Sequence, residues 1–177
     1  WKKGDFEYKN GKQDGLTTTW HENGQKSGEV SYKDGRRDGI EIRYYMNGQI
    51  KSKGNASNGK PDGLWHAWHE EGKKKVVANF KNGQREGVVS TWYKNGQKMR
   101  ESNYQNGNKE SEINWSEKGE ELSRIIIKNG RKHELVTRWY KNGQKESEEN
   151  NIDGQSEGKM IRWHGNGEKY LVGQSKN

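Results

Sequence analysis

The sequence predicts an all-β protein: an elongated, open antiparallel meander of about seven 24-residue β-hairpin repeats, with about fourteen short strands in a single twisted or curled sheet. Three observations predict this fold. An Asn-Gly-type doublet returns along the chain at spacings that alternate between thirteen and eleven residues. Between doublets, apolar and aromatic residues alternate with a period of two, as in a half-buried strand. No segment carries the 3.6-residue period of a helix.

The doublets mark the turns. Both central residues of a type I′ hairpin turn need a positive φ, which Asn-Gly adopts at low cost, so every doublet is predicted to be a type I′ turn. The first turn set comprises Asn10-Gly11, Asp34-Gly35, Asn58-Gly59, Asn82-Gly83, Asn106-Gly107, Asn129-Gly130 and Asp153-Gly154. The second turn set comprises Asn23-Gly24, Asn47-Gly48, Glu71-Gly72, Asn95-Gly96, Lys118-Gly119, Asn142-Gly143 and Asn166-Gly167. A one-residue deletion between Asn106 and Lys118 interrupts the spacing.

The segments between the turns read as strands. Leu16, Thr18 and Trp20 fall on one face of a strand, and Ile40, Ile42 and Tyr44 do the same in the next repeat. An open sheet of more than about ten strands usually twists and curls. Because only 25 % of the residues are hydrophobic, the apolar rows must be thin, and Lys and Arg stems are expected to lie over them.

A further glycine follows four residues after most first-set glycines: Gly15, Gly39, Gly63, Gly87 and Gly158. Within a strand pattern such a glycine indicates a β-bulge or a close backbone approach. An acid precedes it, as in Asp14, Asp38, Asp62 and Glu86. These acids are expected to pair with the neighbouring Lys12, Arg36, Arg37 and Lys60, at small net benefit.

Composition limits the classes of function. The net charge of +8 is spread through the repeats without a block of five like charges, so it is typical of soluble turns and nucleic acid is not an expected partner. Absence of Cys excludes disulfides and thiolate chemistry. No apolar run reaches transmembrane length. Residues 1–177 are expected to form a single tandem array, and because Trp1 and Asn177 both fall inside repeats, a longer chain is expected around it.

The motif Asn-Gly-Lys-x-Asp-Gly-Leu-(x)3-Trp-x-Glu-Asn-Gly-Gln-Lys resembles the MORN-variant repeats of bacteria, which are related to the membrane occupation and recognition nexus motif. Residues 58–64 followed by Trp68 are a good example. The resemblance covers essentially all seven repeats. Proteins built from such repeats include the YwqK-like antitoxins. The resemblance implies β-hairpin repeats and a non-catalytic interaction role, and it does not identify a partner.

Two rows of side chains are candidate binding rows. The ring row stands three residues before each second-set turn: Trp20, Tyr44, Trp68, Trp92, Trp115, Trp139 and Trp163. Successive rings, about 10 Å apart, offer a ladder for sugars or for a partner's apolar side chains, or they simply hold the sheet together. The His/Tyr row follows one residue later, on the face that alternation places opposite: His21, Tyr45, His69, Tyr93, Tyr140 and His164.

The pattern does not favour metal binding or catalysis. Equivalent His residues about 10 Å apart cannot share a zinc ion that lies about 2 Å from each ligand, and the acidic row fails the same test for calcium. No nucleophile, base and orienting group stand together, and every Gly-rich segment is a turn rather than a phosphate loop. We therefore predict no enzyme activity, no cofactor and no metal.

The predicted function is a non-enzymatic repeat scaffold that binds a protein partner. An antitoxin or immunity protein is one instance, and it would be cytoplasmic. The alternative is a cell-envelope or surface module that binds glycan or anionic lipid through the aromatic and basic rows, which would be exported. The sequence leaves the partner's identity and the oligomeric state open.

The fold class makes a direct prediction. Far-UV circular dichroism should show β-structure without helix, and small-angle scattering should report an elongated particle. A spectrum with substantial helix, or the scattering of a compact sphere, would contradict the predicted array.

Overall fold

The computed structural model describes residues 4–175, and within that range it contains strands and turns but no helix. Trp1 and Asn177, on which the expected continuation of the array depends, lie outside it. The chain divides into two compact units. The first comprises the residues up to Gly96 together with Tyr104–Asn108, and the second comprises Gln97–Asn103 with the residues from Lys109 onward.

Antiparallel strands build the first unit. They are β1 (Gly4–Asp5), β2 (Tyr8–Lys9), β3 (Lys12–Gln13), β4 (Gly15–Trp20), β5 (Lys26–Lys33), β6 (Arg36–Tyr44), β7 (Ile50–Ser57), β8 (Lys60–Trp68), β9 (Lys74–Lys81), β10 (Gln84–Arg85) and β11 (Gly87–Trp92). Their order is β1-β4-β5-β6-β7-β8-β9-β11, with β10 also beside β9 and with β2 paired to β3. Each long strand therefore pairs with its neighbours in sequence.

The second unit has the same plan. Strand β12 (Lys98–Gln105) contains residues of both units. The strands that follow are β13 (Asn108–Trp115), β14 (Glu121–Lys128), β15 (Arg131–Trp139), β16 (Lys145–Ile152), β17 (Gln155–Trp163) and β18 (Lys169–Ser175). Consecutive strands from β13 to β18 are paired antiparallel. The predicted all-β antiparallel meander is thus confirmed over the described residues.

The first turn set has the predicted backbone. Its Asn or Asp residues have φ between 49° and 52°, and its glycines have φ between 73° and 86°. Positive φ at both central residues is the signature of a type I′ turn.

The second turn set differs, and the type I′ prediction is wrong for it. Only the glycine has a positive φ there, between 82° and 95°. The Gly24 N–H donates to the His21 carbonyl at 3.0 Å, and the His21 N–H donates to the Gln25 carbonyl at 2.8 Å. This pattern is a three-residue loop, a type I turn closed by a glycine bulge. Such a loop needs no positive φ before its glycine, and so this set accepts Glu71 and Lys118.

The extra glycines form bulges, as predicted. Strand register shifts opposite Gly39, Gly63 and Gly158, whose φ values are 101°, 75° and 101°. In each case the strand that contains the glycine has more residues between two consecutive pairs than the strand beside it. The extra residues bend that strand. Interruptions at Asp14 and Glu86 also separate β3 from β4 and β10 from β11. These breaks contribute to the eighteen strand segments of residues 4–175, where about fourteen strands were expected.

The acids that precede Gly15, Gly39, Gly63 and Gly87 do not mainly pair with basic side chains, and for them the prediction is corrected. Each accepts the backbone N–H of the next first-set turn. The donor–acceptor pairs are Asp34 to Asp14 (3.2 Å), Asn58 to Asp38 (3.1 Å), Asn82 to Asp62 (3.1 Å) and Asn106 to Glu86 (2.8 Å). The adjoining Gly59 N–H donates to the Arg37 carbonyl at 2.7 Å. A turn N–H on the sheet margin lacks a strand partner, and the preceding repeat supplies one.

The first-set backbone can be tested at Asn58, whose φ is 50°. Asn58→Ala should lower the free energy of unfolding by about 1–2 kcal/mol, because alanine is strained at a left-handed φ. Asn58→Gly should cost much less. Urea denaturation followed by circular dichroism measures both. The matched control is Glu71→Ala in the second set, which needs no positive φ and should change stability by about 0.5 kcal/mol or less. Equal losses for Asn58→Ala and Glu71→Ala would contradict the assignment.

Candidate functional site

Strand alternation sorts the side chains onto two faces with different exposure. The ring-row face carries Leu16, Leu64 and Val88, which are 41 %, 51 % and 54 % exposed. The other face, which we call the Trp65 face, carries cross-strand neighbours such as Thr17 with Val30 and Trp65 with Ala78. Thr17, Val30 and Ala78 are at most 5 % exposed. The Trp65 face is therefore the better covered of the two.

Every member of the ring row is the last residue of its strand. Trp20, Tyr44, Trp68, Trp92, Trp115, Trp139 and Trp163 close β4, β6, β8, β11, β13, β15 and β17 in turn. All seven side chains are half-buried. The row thus runs along one margin of each unit, beside the second-set turns.

Neighbouring side chains cover several of these rings. The Lys98 ammonium lies 5.5 Å from the centre of the Trp115 ring, and that of Lys145 lies 5.8 Å from the rings of both Trp139 and Trp163. His66 stacks on Trp68 with ring centres 5.7 Å apart. Lysine stems over aromatic rings were expected from the composition. At these positions the ring face is already in contact with the protein's own side chains.

Tyr44 is the ring-row member that carries a titratable group. Its hydroxyl donates to the Glu29 carboxylate at 2.5 Å, and the Lys26 ammonium also binds Glu29 at 2.5 Å. Burial, together with the hydrogen bond to the anionic Glu29, raises the pKa of Tyr44 to about 12. The hydrogen bonds from Lys26 and Tyr44 lower the pKa of Glu29. The three side chains form a small polar cluster beside the ring.

The His/Tyr row connects repeats. His21 Nε2 lies 3.1 Å from the Tyr44 carbonyl, and His69 Nε2 lies 2.9 Å from that of Trp92. Because a carbonyl oxygen only accepts, Nε2 carries the proton in both rings. The Tyr45 and Tyr140 hydroxyls donate to the Trp68 and Trp163 carbonyls at 2.8 Å and 2.9 Å. The Tyr93 carbonyl accepts the N–H of the turn glycine Gly96, as the Tyr45 and Tyr140 carbonyls do at their turns. The His164 ring instead contacts Tyr170, with ring centres 4.4 Å apart. For four members, the polar atom of the side chain is used by the next repeat.

Buried glutamates of the Trp65 face had no part in the sequence prediction. Glu41 is 6 % exposed and lies 3.1 Å from both Arg37 and Arg43. Glu112, which is 7 % exposed, stands at the equivalent place and binds Lys109 at 2.5 Å. Burial by itself raises the pKa of Glu112, but hydrogen bonds from Lys109, Ser102 and Asn114 outweigh burial and leave the pKa lowered. Both stand three residues before a ring, a position where the repeats differ.

Trp65 also stands three residues before a ring and was missed. The other repeats have Thr17, Glu41, Val89, Glu112, Val136 and Met160 at this position. The Trp65 ring meets Phe80 edge to face, with ring centres 6.4 Å apart. The sequence signal for Trp65 is its departure from the repeat, because it is the only aromatic residue among the seven at this position.

Within residues 4–175, His, Asp and Glu side chains do not gather in threes as metal ligands would. No helix of this range has the length and apolar character needed to cross a bilayer.

The chain folds into hairpin repeats, and their side chains bind the backbone of neighbouring repeats. This architecture places it in the class of β-hairpin repeat proteins. Three segments of the chain, residues 13–34, 37–58 and 85–106, match the family model of the MORN repeat variant. These matches support a MORN-repeat protein. No curated protein matches the chain. MORN repeats generally serve as scaffolds for protein or membrane-lipid binding, and the family is generally non-catalytic.

The Tyr44 cluster makes a pH-dependent prediction. The folded-state pKa of about 12 lies above the ordinary value of 10.0. Stability from this group is therefore fully present below pH 10 and is lost as pH rises through about 12. In a spectrophotometric titration of the eight tyrosines, one should ionise late, and Tyr44→Phe should remove that phase.

The control for this titration separates burial from hydrogen bonding. Glu29→Gln should lower the late pKa only in part, because burial remains, and Glu22→Gln in the adjacent turn should leave it unchanged. A late phase that persists in Tyr44→Phe would show that another tyrosine is responsible.

Proposed function

We propose that this chain is a non-enzymatic repeat scaffold that binds a protein partner through its ring-row face. The observation that carries the proposal is the exposure of Leu16, Leu64 and Val88, which stand at the same position of the 24-residue repeat on that face. Large apolar side chains that are open to water at equivalent positions of several repeats form a surface that gains free energy when a partner covers it. Tyr and Trp beside them are the residues most enriched at the energetic centres of protein interfaces.

The shape of this face favours a macromolecule over a small molecule. Beside Trp68 there is an open depression of about 340 Å³, lined by Lys53, Asn55, Leu64 and His66. Small-molecule sites are clefts that enclose most of the ligand. A depression that is open along the sheet suits the side chains of a protein laid across it.

The covered rings argue against a glycan ladder. A sugar ring needs a free aromatic face, and Lys98, Lys145 and His66 already lie over ring-row members. Binding to an anionic lipid surface is also disfavoured, because the 33 basic residues are interleaved with 25 acids. Several of these charges are paired within the chain, as in Lys26 with Glu29 and Lys98 with Glu101.

An antitoxin or immunity protein is one form that such a scaffold takes, and an assembly scaffold or surface adhesin is another. A toxin-like gene beside the coding gene supports the first form and a cytoplasmic location. An export signal on the full-length product supports the adhesin and a cell-surface location.

The proposal is tested by affinity capture from the source cell with identification of the bound protein. Leu64→Ser combined with Val88→Ser should reduce capture of that protein at least about tenfold, because two apolar contacts are lost. Both positions are more than half exposed, so the fold should be retained. The matched control is Met46→Ser, which removes a side chain that is 60 % exposed at a second-set turn.

Polysaccharide and anionic liposomes are the competing ligands in the same assay. Glycan binding would survive physiological salt and fall in Trp68→Ala with Trp92→Ala, whereas liposome binding would weaken as salt screens the charges. Retention on either matrix, together with unchanged protein capture by the Leu64 and Val88 variant, would refute a protein partner on this face.

A further inference from the structure

We propose that the Trp65 face of the first unit holds a second docking site, which binds an acidic segment of a protein: an apolar side chain of that segment packs against Trp65, and a neighbouring carboxylate binds Arg85. The site lies on the face opposite the ring row, so the inference does not depend on the function proposed for that row.

The backbone is shaped to hold Trp65 in one place. A Cβ atom at Gly54 would lie 2.2 Å from the Trp65 ring, so the indole rests directly on the glycine. The indole N–H donates to the Asn55 carbonyl at 2.8 Å. Val30, Ala78 and Ser102 occupy the place of Gly54 in other repeats. Gly54 and Trp65 are therefore matched to each other, and the ring is fixed before any ligand arrives.

An apolar depression lies beside the fixed ring. Its volume is about 200 Å³, and Ala67, Val76, Ala78, Phe80 and Val89 line it together with Trp65. This volume is below the roughly 300–1,000 Å³ of typical small-molecule sites. It matches instead a single apolar side chain presented by a longer segment that lies across the sheet.

Arg85 supplies an uncompensated charge at the rim of this depression. Its guanidinium donates to the Tyr104 hydroxyl at 3.1 Å and lies 5.3 Å from the centre of that ring. Among the described residues, no carboxylate lies within ion-pair distance of Arg85. Its exposed side chain is held in place by the tyrosine while its charge remains available.

Two other repeats have a carboxylate where the Arg85 repeat lacks one. At the equivalent places, Arg37 binds Glu41 at 3.1 Å, and Lys109 binds Glu112 at 2.5 Å. In the Arg85 repeat the acid is replaced by Val89. This replacement enlarges the apolar depression and leaves the guanidinium without its counter-charge.

The ligand class follows from this charge. A carboxylate of the ligand takes the place that Glu41 and Glu112 hold in their own repeats. A charge-assisted hydrogen bond to a guanidinium is among the stronger polar contacts. An acidic segment is also drawn towards a chain with a net charge of +8.

The experiment uses the full chain and a blocked synthetic peptide of alternating Asp and Phe as the probe. Nitrogen-edited NMR should show shifts of the Trp65 indole and the Val89 amide, with the indole assigned from Trp65→Val. Valine occupies the same position at Val89 and Val136, so this variant should fold. Val89→Glu restores the counter-charge found at Glu41 and should weaken peptide binding about tenfold, and Arg85→Gln should do the same.

The controls distinguish this site from general attraction. Peptides of alternating Lys and Phe, or Asp and Ala, should leave the Trp65 indole unshifted. Arg36→Gln removes an exposed charge at a turn and should bind the Asp and Phe peptide as the unchanged chain does. The Leu64 and Val88 double variant, which tests the ring-row face, should retain this binding. Absence of shifts at Trp65, equal binding of the Lys and Phe peptide, or unchanged binding by folded Arg85→Gln would overturn the proposal.

Discussion

Hydrogen bonds between the turns of successive repeats are the interaction on which this structure depends. A single layer of strands buries little apolar surface, and the buried hydrophobic residues are small or aliphatic: Val30, Ala56, Ala78, Val89 and Ile161. At each sheet margin the turn backbone has no further strand to bond. One margin is served by acids such as Asp38, which binds the Asn58 N–H twenty residues later. The other margin is served by side chains such as Tyr45, which binds the Trp68 carbonyl.

The need for these hydrogen bonds divides the side chains into two groups: those that hold repeats together, and those that differ between repeats. Four acids beside the bulges and four members of the His/Tyr row hold neighbouring repeats together. Second-set asparagines do the same, since the Asn23 amide donates to the Met46 carbonyl and the Asn142 amide to the Gly165 carbonyl. A side chain that every repeat needs for its own cohesion has its polar atoms already occupied. Differences between repeats are therefore the better guide to a binding site. Trp65 and Val89 are such differences, and together they create an apolar depression beside the exposed charge of Arg85.

The two buried glutamates show how a sheet without a second layer tolerates charge. Glu41 lies between two arginines, and Glu112 is held by Lys109 and Ser102. Burying a carboxylate is unfavourable unless it is paired and hydrogen-bonded, and both of these are. Removing the acid while keeping the base, as at Arg85, leaves a charge that can serve a ligand. The same strand position thus serves cohesion in two repeats and is free for recognition in a third.

The sequence by itself determined the strands, the turns and the bulges, because these depend on local backbone preferences that recur every 24 residues. Asn58 and Gly59 adopt the positive φ that their doublet predicts. The sequence also contained the evidence for the turn type of the second set, because Glu71 and Lys118 are poor residues for a positive φ. The glycine that both sets share led to the prediction of a single turn type. Only the tertiary structure decided which partner each side chain takes. Asp38 binds a backbone N–H rather than a nearby base, and Trp65 rests on Gly54, because both contacts join strands or repeats whose spacing is fixed only when the sheet forms.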